Sequence, residues 1–167
     1  MSGPDRDGSS ARSPQSLHAS CVVLDGAGLL ILGASGSGKS TLALALMAHG
    51  AALVADERVQ VLRQGEALLA RPPAALAGLI EARGVGLLEV PYVVEVPLAA
   101  VVDLDRAEEM RLPPLRFWTH DGVAVPLVLG RDHPALAPAL LALLRGSRRA
   151  VDGVARTVAG PHHDLHS

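Results

Sequence analysis

Apolar runs of strand length, set between clusters of turn-forming residues, organise most of the chain. Residues 20–24 and 29–32 are two such runs joined by Asp25-Gly26-Ala27-Gly28, which predicts a hairpin. Residues 39–49 are dense in Leu and Ala and stop at Gly50, the pattern of a helix with a glycine at its C-terminal end. A short apolar strand over 51–55 then ends at Asp56-Glu57, and 58–69 read as a second hairpin turning near Gln64-Gly65. Beyond the break at Arg71-Pro72-Pro73, residues 79–90 carry kinks at Gly84 and Gly86, and the unbroken apolar run 98–104 suits a buried strand. Leu112-Pro113-Pro114 and Val125-Pro126 mark loops, and 134–145 form a Leu/Ala helix whose first turn accommodates Pro138. No internal repeat is present. Strands alternating with helices place the chain in the α/β class.

The ends differ from this middle. Residues 1–16 are rich in Ser, Gly, Pro and charge, and 146–167 lack periodicity, so a single domain over 17–145 is expected between two mobile segments. His162, His163 and His166 in the second segment are read as solvated.

Composition narrows the class further. Of 167 residues, 49% are hydrophobic but only 2% aromatic, so the core must be built from Leu, Val, Ile and Ala. A net charge of −2, from 15 basic and 17 acidic residues, offers no broad cationic field for nucleic acid. Cys21 is the single cysteine; a buried thiol in a reducing compartment is the expectation, and cytoplasm follows. The polar N-terminal segment has no signal-peptide core, and no stretch approaches the ~20 apolar residues of a membrane span. Neither export nor membrane insertion is expected.

One segment carries chemistry on its own. Gly33-Ala34-Ser35-Gly36-Ser37-Gly38-Lys39-Ser40 fills every fixed position of G-x-x-x-x-G-K-[ST] and lies between a predicted strand and a predicted helix. Glycines at 33, 36 and 38 allow successive amides to turn inward around a phosphate at the positive end of the helix. Lys39 then faces the β- and γ-phosphates, Ser40 offers its hydroxyl to Mg²⁺, and Thr41 completes the nucleotide-binding stretch. ATP and Mg²⁺ are the expected ligands. Such loops serve many reactions, so an acidic residue at another strand end must help decide; Asp56, Glu57, Asp103 and Asp105 all qualify. Asp56 ends the strand that directly follows the loop helix, which favours a place facing the γ-phosphate.

Taken in order, Leu17-His18-Ala19, the loop GASGSGKST, Leu53-Val54-Ala55-Asp56 and Ile80-Glu81-Ala82-Arg83-Gly84-Val85-Gly86 resemble the motifs of the HPr kinase/phosphorylase family over roughly residues 16–145. The resemblance is to the short forms, which retain only the C-terminal catalytic domain. It implies a P-loop kinase fold related to phosphoenolpyruvate carboxykinases. It also implies transfer of the ATP γ-phosphoryl group to a serine of HPr, the phosphocarrier of the phosphotransferase system; many members reverse this with phosphate, yielding pyrophosphate. A homohexamer is implied as well. By resemblance, Asp56 is the general base, His18 assists it, and Glu81 joins Ser40 at the metal. An arginine of a later loop serves the transferred group, with Arg111 the best match and Arg116 and Arg131 the alternatives. The segment from Val125-Pro126 to Gly130-Arg131 partly matches the one used in dephosphorylation. Three positions depart from the pattern: Glu57 replaces a second aspartate, Thr41 a glutamate and Ala19 a glycine.

Two other readings are open at this level: a nucleotide-binding regulatory module that transfers no phosphate to protein, and a P-loop kinase of a small molecule.

Overall fold

The computed structural model describes residues 15–146 and, by their backbone, residues 148, 149, 156 and 157. Its centre is a nine-stranded sheet in which β1 (Gln15–Leu17), β5 (Val59–Gln64), β6 (Ala67–Arg71), β9 (Val96–Asp103), β3 (Ala27–Leu32), β2 (Ala19–Leu24) and β4 (Ala52–Ala55) follow one another, with β11 (Val123–Leu129) beside β9 and β10 (Arg116–His120) beyond it. A separate hairpin, β7 (Leu79–Ala82) and β8 (Gly86–Glu89), stands off this sheet. Among the described residues two α-helices, α1 (Lys39–Met47) and α2 (Leu136–Arg145), and a single 3-10 turn over Ala74–Leu76 accompany the strands. The α/β expectation holds, with strands in the majority.

The β2–β3 turn is tighter than predicted: both strands extend to Asp25 and Gly26, which carry φ of 50° and 79°. Positive φ at both central residues matches the right-handed twist of the flanking strands, and Asp-Gly supplies it at least cost. The same device at Asp121 (φ 48°) and Gly122 (φ 79°) joins β10 to β11. That hairpin corrects the loop expected at Val125-Pro126. Pro126 pairs only with Phe117, and β11 joins β9 only from Leu127 onward, so the missing proline N–H falls where the strand has a neighbour on one side. Residues 79–90 likewise form a hairpin rather than a kinked run.

The N-terminal strand begins at Gln15, two residues before the expected limit, because it pairs with Val59 to Val61 of β5. Residues 1–14, and with them most of the expected N-terminal segment, lie outside the described residues, as do His162, His163 and His166. Within the C-terminal segment, β12 (Arg148–Arg149) and β13 (Arg156–Thr157) pair antiparallel.

Alternation along the strands splits the interior in two. Val22, Leu24, Leu29, Ile31, Leu53, Ala100 and Val102 face α1 and α2, meeting Leu42, Leu46, Leu140 and Leu144. The opposite faces, including Cys21, Leu30, Val54 and Val101, pack against Val59, Val61, Leu68, Val125 and Leu127 with no helix between. Burial pushes the Cys21 thiol far above its ordinary range, in keeping with the buried thiol expected. Among the described residues no helix is long and apolar enough to cross a membrane.

Direction matters for the site. Strands β3, β9 and β11 run parallel, while β2 is antiparallel to both β3 and β4, so the C-terminal ends of β3 and β4 and the start of β2 share one edge. In open α/β sheets that edge is where ligands bind.

Candidate active site

Strand β3 ends at Leu32 and the chain turns through Gly33 to Gly38 into α1. Gly36 and Gly38 adopt φ of 82° and 99°, and α1 has no side-chain cap. Its first internal bond runs from the Leu42 N–H to the Gly38 carbonyl at 2.9 Å, so the preceding amides have no acceptor within the helix. A β-carbon on Gly33 would strike the Ser37 hydroxyl, which is buried without a hydrogen-bond partner. Lys39 is 7% exposed, and its ammonium donates to the carbonyls of Gly33 (2.7 Å) and Ala34 (2.9 Å), leaving one of three N–H donors.

Asp56 leaves the end of β4 and is 2% exposed. Its carboxylate accepts from the Ser20 hydroxyl at 2.6 Å on Oδ1 and from the Ser40 hydroxyl at 2.8 Å on Oδ1 and 3.0 Å on Oδ2. The Glu81 backbone N–H donates to Oδ2 at 3.2 Å. The following residue, Glu57, has φ 68°, and the Arg58 N–H reaches back to the Asp56 carbonyl at 2.8 Å, a γ-turn that swings the chain away from the site. Non-glycine backbone in this region stores strain, and such strain gathers at functional sites. Glu57 also approaches His18, Nε2 to Oε2, at 3.6 Å.

These groups line one cleft of about 310 Å³: His18, Ser35, Gly36, Gly38, Lys39, Ser40, Thr41, Asp56 and Glu81 from the expected set, with Glu57 and Arg83 added. Gly33, Ala34 and Ser37 form the loop behind it. Glu81 reaches the site because β7 is held to Asp56 by its own backbone, while its exposed carboxylate faces the cleft. Among the described residues no three His, Cys, Asp or Glu side chains cluster as a metal cage. Ser40, Asp56 and Glu81 set three oxygen donors on the cleft, the ligand type that hard divalent cations take.

Arg111 is not brought to this cleft. It lies exposed in the segment between β9 and β10, on a separate cavity of about 590 Å³, because that segment leads away toward β10. Arg116 is bound there to Glu108 through two bonds of 2.8 and 3.0 Å, which hold the Glu108 carboxyl below its usual range. Arg131 lies at the end of β11, donating to the Asp105 carbonyl at 3.1 Å and lining a third cavity of about 420 Å³ with Ser37 and Thr41. Of the three arginines, it stands on the phosphate loop's side. Asp105 accepts the Ala34 N–H at 3.0 Å on each oxygen, so this eligible carboxylate braces the loop's start rather than facing Lys39.

Ser20 was missed from sequence. The signal was a lone hydroxyl in an otherwise apolar strand, ASCVVL, fully buried in a position that demands a polar partner.

The family model described as "HPr Serine kinase C-terminal domain" matches residues 10–96, just over half of the 167. HPr kinase/phosphorylase of Levilactobacillus brevis is 46% identical over 77 residues, which are 46% of this chain and 25% of that protein. The protein of the same name from Lactiplantibacillus plantarum is 47% identical over 77 residues, 46% of this chain and 24% of the relative. The matched stretch thus spans about a quarter of these curated relatives. The solved structure of the Hpr(Ser) kinase/phosphatase from Coxiella burnetii is similar with a TM-score of 0.69 at 30% identity, covering 78% of this chain and 94% of that one.

Proposed function

The chain belongs to the HPr serine kinase C-terminal domain family, and from that premise we propose that it transfers the γ-phosphoryl group of ATP to a seryl hydroxyl of an HPr-like phosphocarrier, with Asp56 as general base. One observation carries the reading: a nearly buried carboxylate shares a cleft with the glycine loop, Lys39 and Ser40. The carboxylate serves in this reading as the proton acceptor beside the held γ-phosphoryl group, and its burial in that cleft supports the assignment. In this reading the fold is a P-loop kinase domain over residues 17–145, and its home is the cytoplasm.

Roles follow from positions. The α1 amides and Lys39 bind the phosphates, and Lys39 balances charge that grows on the transferred group. Asp56 receives the seryl proton as the oxygen bonds to phosphorus. His18, at the cleft mouth beside Glu57, assists by orienting the incoming hydroxyl. Ser40 and Glu81 would hold Mg²⁺, which would supply neutralising charge to the phosphate oxygens. Arg131 takes the arginine role in place of Arg111, on the strength of its position by the loop. Reversal with inorganic phosphate and a homohexameric assembly belong to the same proposal.

The test is incubation of purified protein with γ-labelled ATP, Mg²⁺ and HPr, followed by mapping of the modified residue. Label on one HPr serine is expected. ATP binding without label on HPr would leave the regulatory module or the small-molecule kinase in its place.

A further inference from the structure

We infer that Ser20 is a positioning residue for phosphoryl transfer, fixing Oδ1 of Asp56 from the protein interior so that Oδ2 is the oxygen offered to the incoming hydroxyl; this rests on the function proposed above. Ser20 is fully buried on β2, opposite Ile31 of β3 and next to Cys21, which pairs with Ala55 just before Asp56. Its neighbours on the same face, Val22 and Leu24, belong to the helix-side core. A hydroxyl in that row costs stability unless it is bonded, and its bond goes to Asp56 at 2.6 Å, the shortest of the four contacts to that carboxylate.

The donors divide unevenly. Ser40 has one proton for two oxygens, 2.8 and 3.0 Å away, and so cannot by itself choose between them. The Glu81 amide, at 3.2 Å from Oδ2, belongs to a hairpin that stands off the main sheet. Ser20 alone donates from an interior strand to a single oxygen. It therefore sets the rotation of the carboxylate plane, while Ser40 keeps its oxygen lone pairs for the metal. Sub-ångström placement of a proton acceptor is worth about tenfold to a hundredfold in rate.

The experiment compares Ser20→Ala, Ser20→Cys and Ser20→Thr with the unaltered protein. The measurements are kcat and KM for transfer to HPr, equilibrium affinity for ATP with Mg²⁺, and the thermal midpoint. Ser20→Ala is expected to lower kcat about tenfold or more with KM and ATP affinity within about twofold. Ser20→Thr, which keeps the hydroxyl, should recover most of the rate, and Ser20→Cys, with a weaker donor of similar size, should fall between. A Ser20→Ala kcat equal to that of the unaltered protein would overturn the inference, as would kcat losses that follow side-chain volume or the thermal midpoint rather than donor strength. If the unaltered protein leaves HPr unlabelled, the functional proposal fails and takes this inference with it; an active protein indifferent to Ser20→Ala sinks the inference alone.

Discussion

Replacing Asp56 by Asn tests the site where structure and chemistry make separate demands. The carboxylate accepts three donors, two hydroxyls and one amide. An asparagine that keeps its oxygen toward Ser20 must turn its NH₂ toward the Glu81 N–H, and a buried donor then faces a donor. An amide stripped of its acceptor costs about 1–3 kcal/mol, and the bonds from the two hydroxyls lose charge assistance worth roughly 1 kcal/mol each. Against this, a neutral amide is cheaper to bury than a carboxylate at 2% exposure. The net expectation is a loss of about 2 kcal/mol, or a thermal midpoint lower by about 4–8 °C. ATP affinity should stay within about threefold, because the loop amides and Lys39 are untouched, while transfer to HPr falls by about 10²–10⁴. Calorimetry, nucleotide titration and single-turnover transfer across a range of Mg²⁺ separate these effects. Near-normal transfer by Asp56→Asn would refute the general base; a rate restored by extra Mg²⁺ would make Asp56 a metal ligand instead.

Other changes probe the remaining parts. Glu81→Gln keeps the backbone bond to Asp56 and should leave stability within about 0.5 kcal/mol, yet raise the Mg²⁺ concentration for half-maximal transfer roughly tenfold; an unchanged titration would remove Glu81 from the metal. Gly33→Ala drives a β-carbon into the Ser37 hydroxyl and to 3.2 Å from the Leu104 β-carbon, so ATP affinity measured by calorimetry should fall at least about tenfold, and native affinity would show that the loop is not held as described. Arg116 holds the Glu108 carboxyl below its ordinary range, so this pair stabilises the fold above the unfolded glutamate value of about 4.3 and loses that effect as pH falls through the lower folded value. The thermal midpoint of Glu108→Gln should therefore trail the parent by a constant margin at neutral pH and meet it in acid; a margin independent of pH would contradict the pairing.

The sequence makes the loop and its neighbours legible because they are local. Strand, glycine turn and helix from residue 29 to 49 follow one another with each signal adjacent to the next, and the structure reproduces them. Asp56 is readable as a strand-end acid, but its donors are not: Ser20 lies 36 positions away and meets it only through the β2–β4 pairing. The β10–β11 hairpin was hidden by Pro126, although Asp121-Gly122 carried the same turn signal that identified β2–β3. For Arg111, in a loop without periodicity, residue type offers no direction, and tertiary packing sets that segment on another cavity.

Strand β9 serves two masters. Ala100 and Val102 close the helical core while Val96 and Val101 close the other, and its edges hand over from β6 to β3 and β11. A wall shared by two rooms asks of each residue that it be apolar, of fitting size and turned to its own side. One residue inserted just ahead of Ala100 would therefore exchange both linings at once, whereas swapping one apolar side chain for another of like volume would disturb only the room it faces.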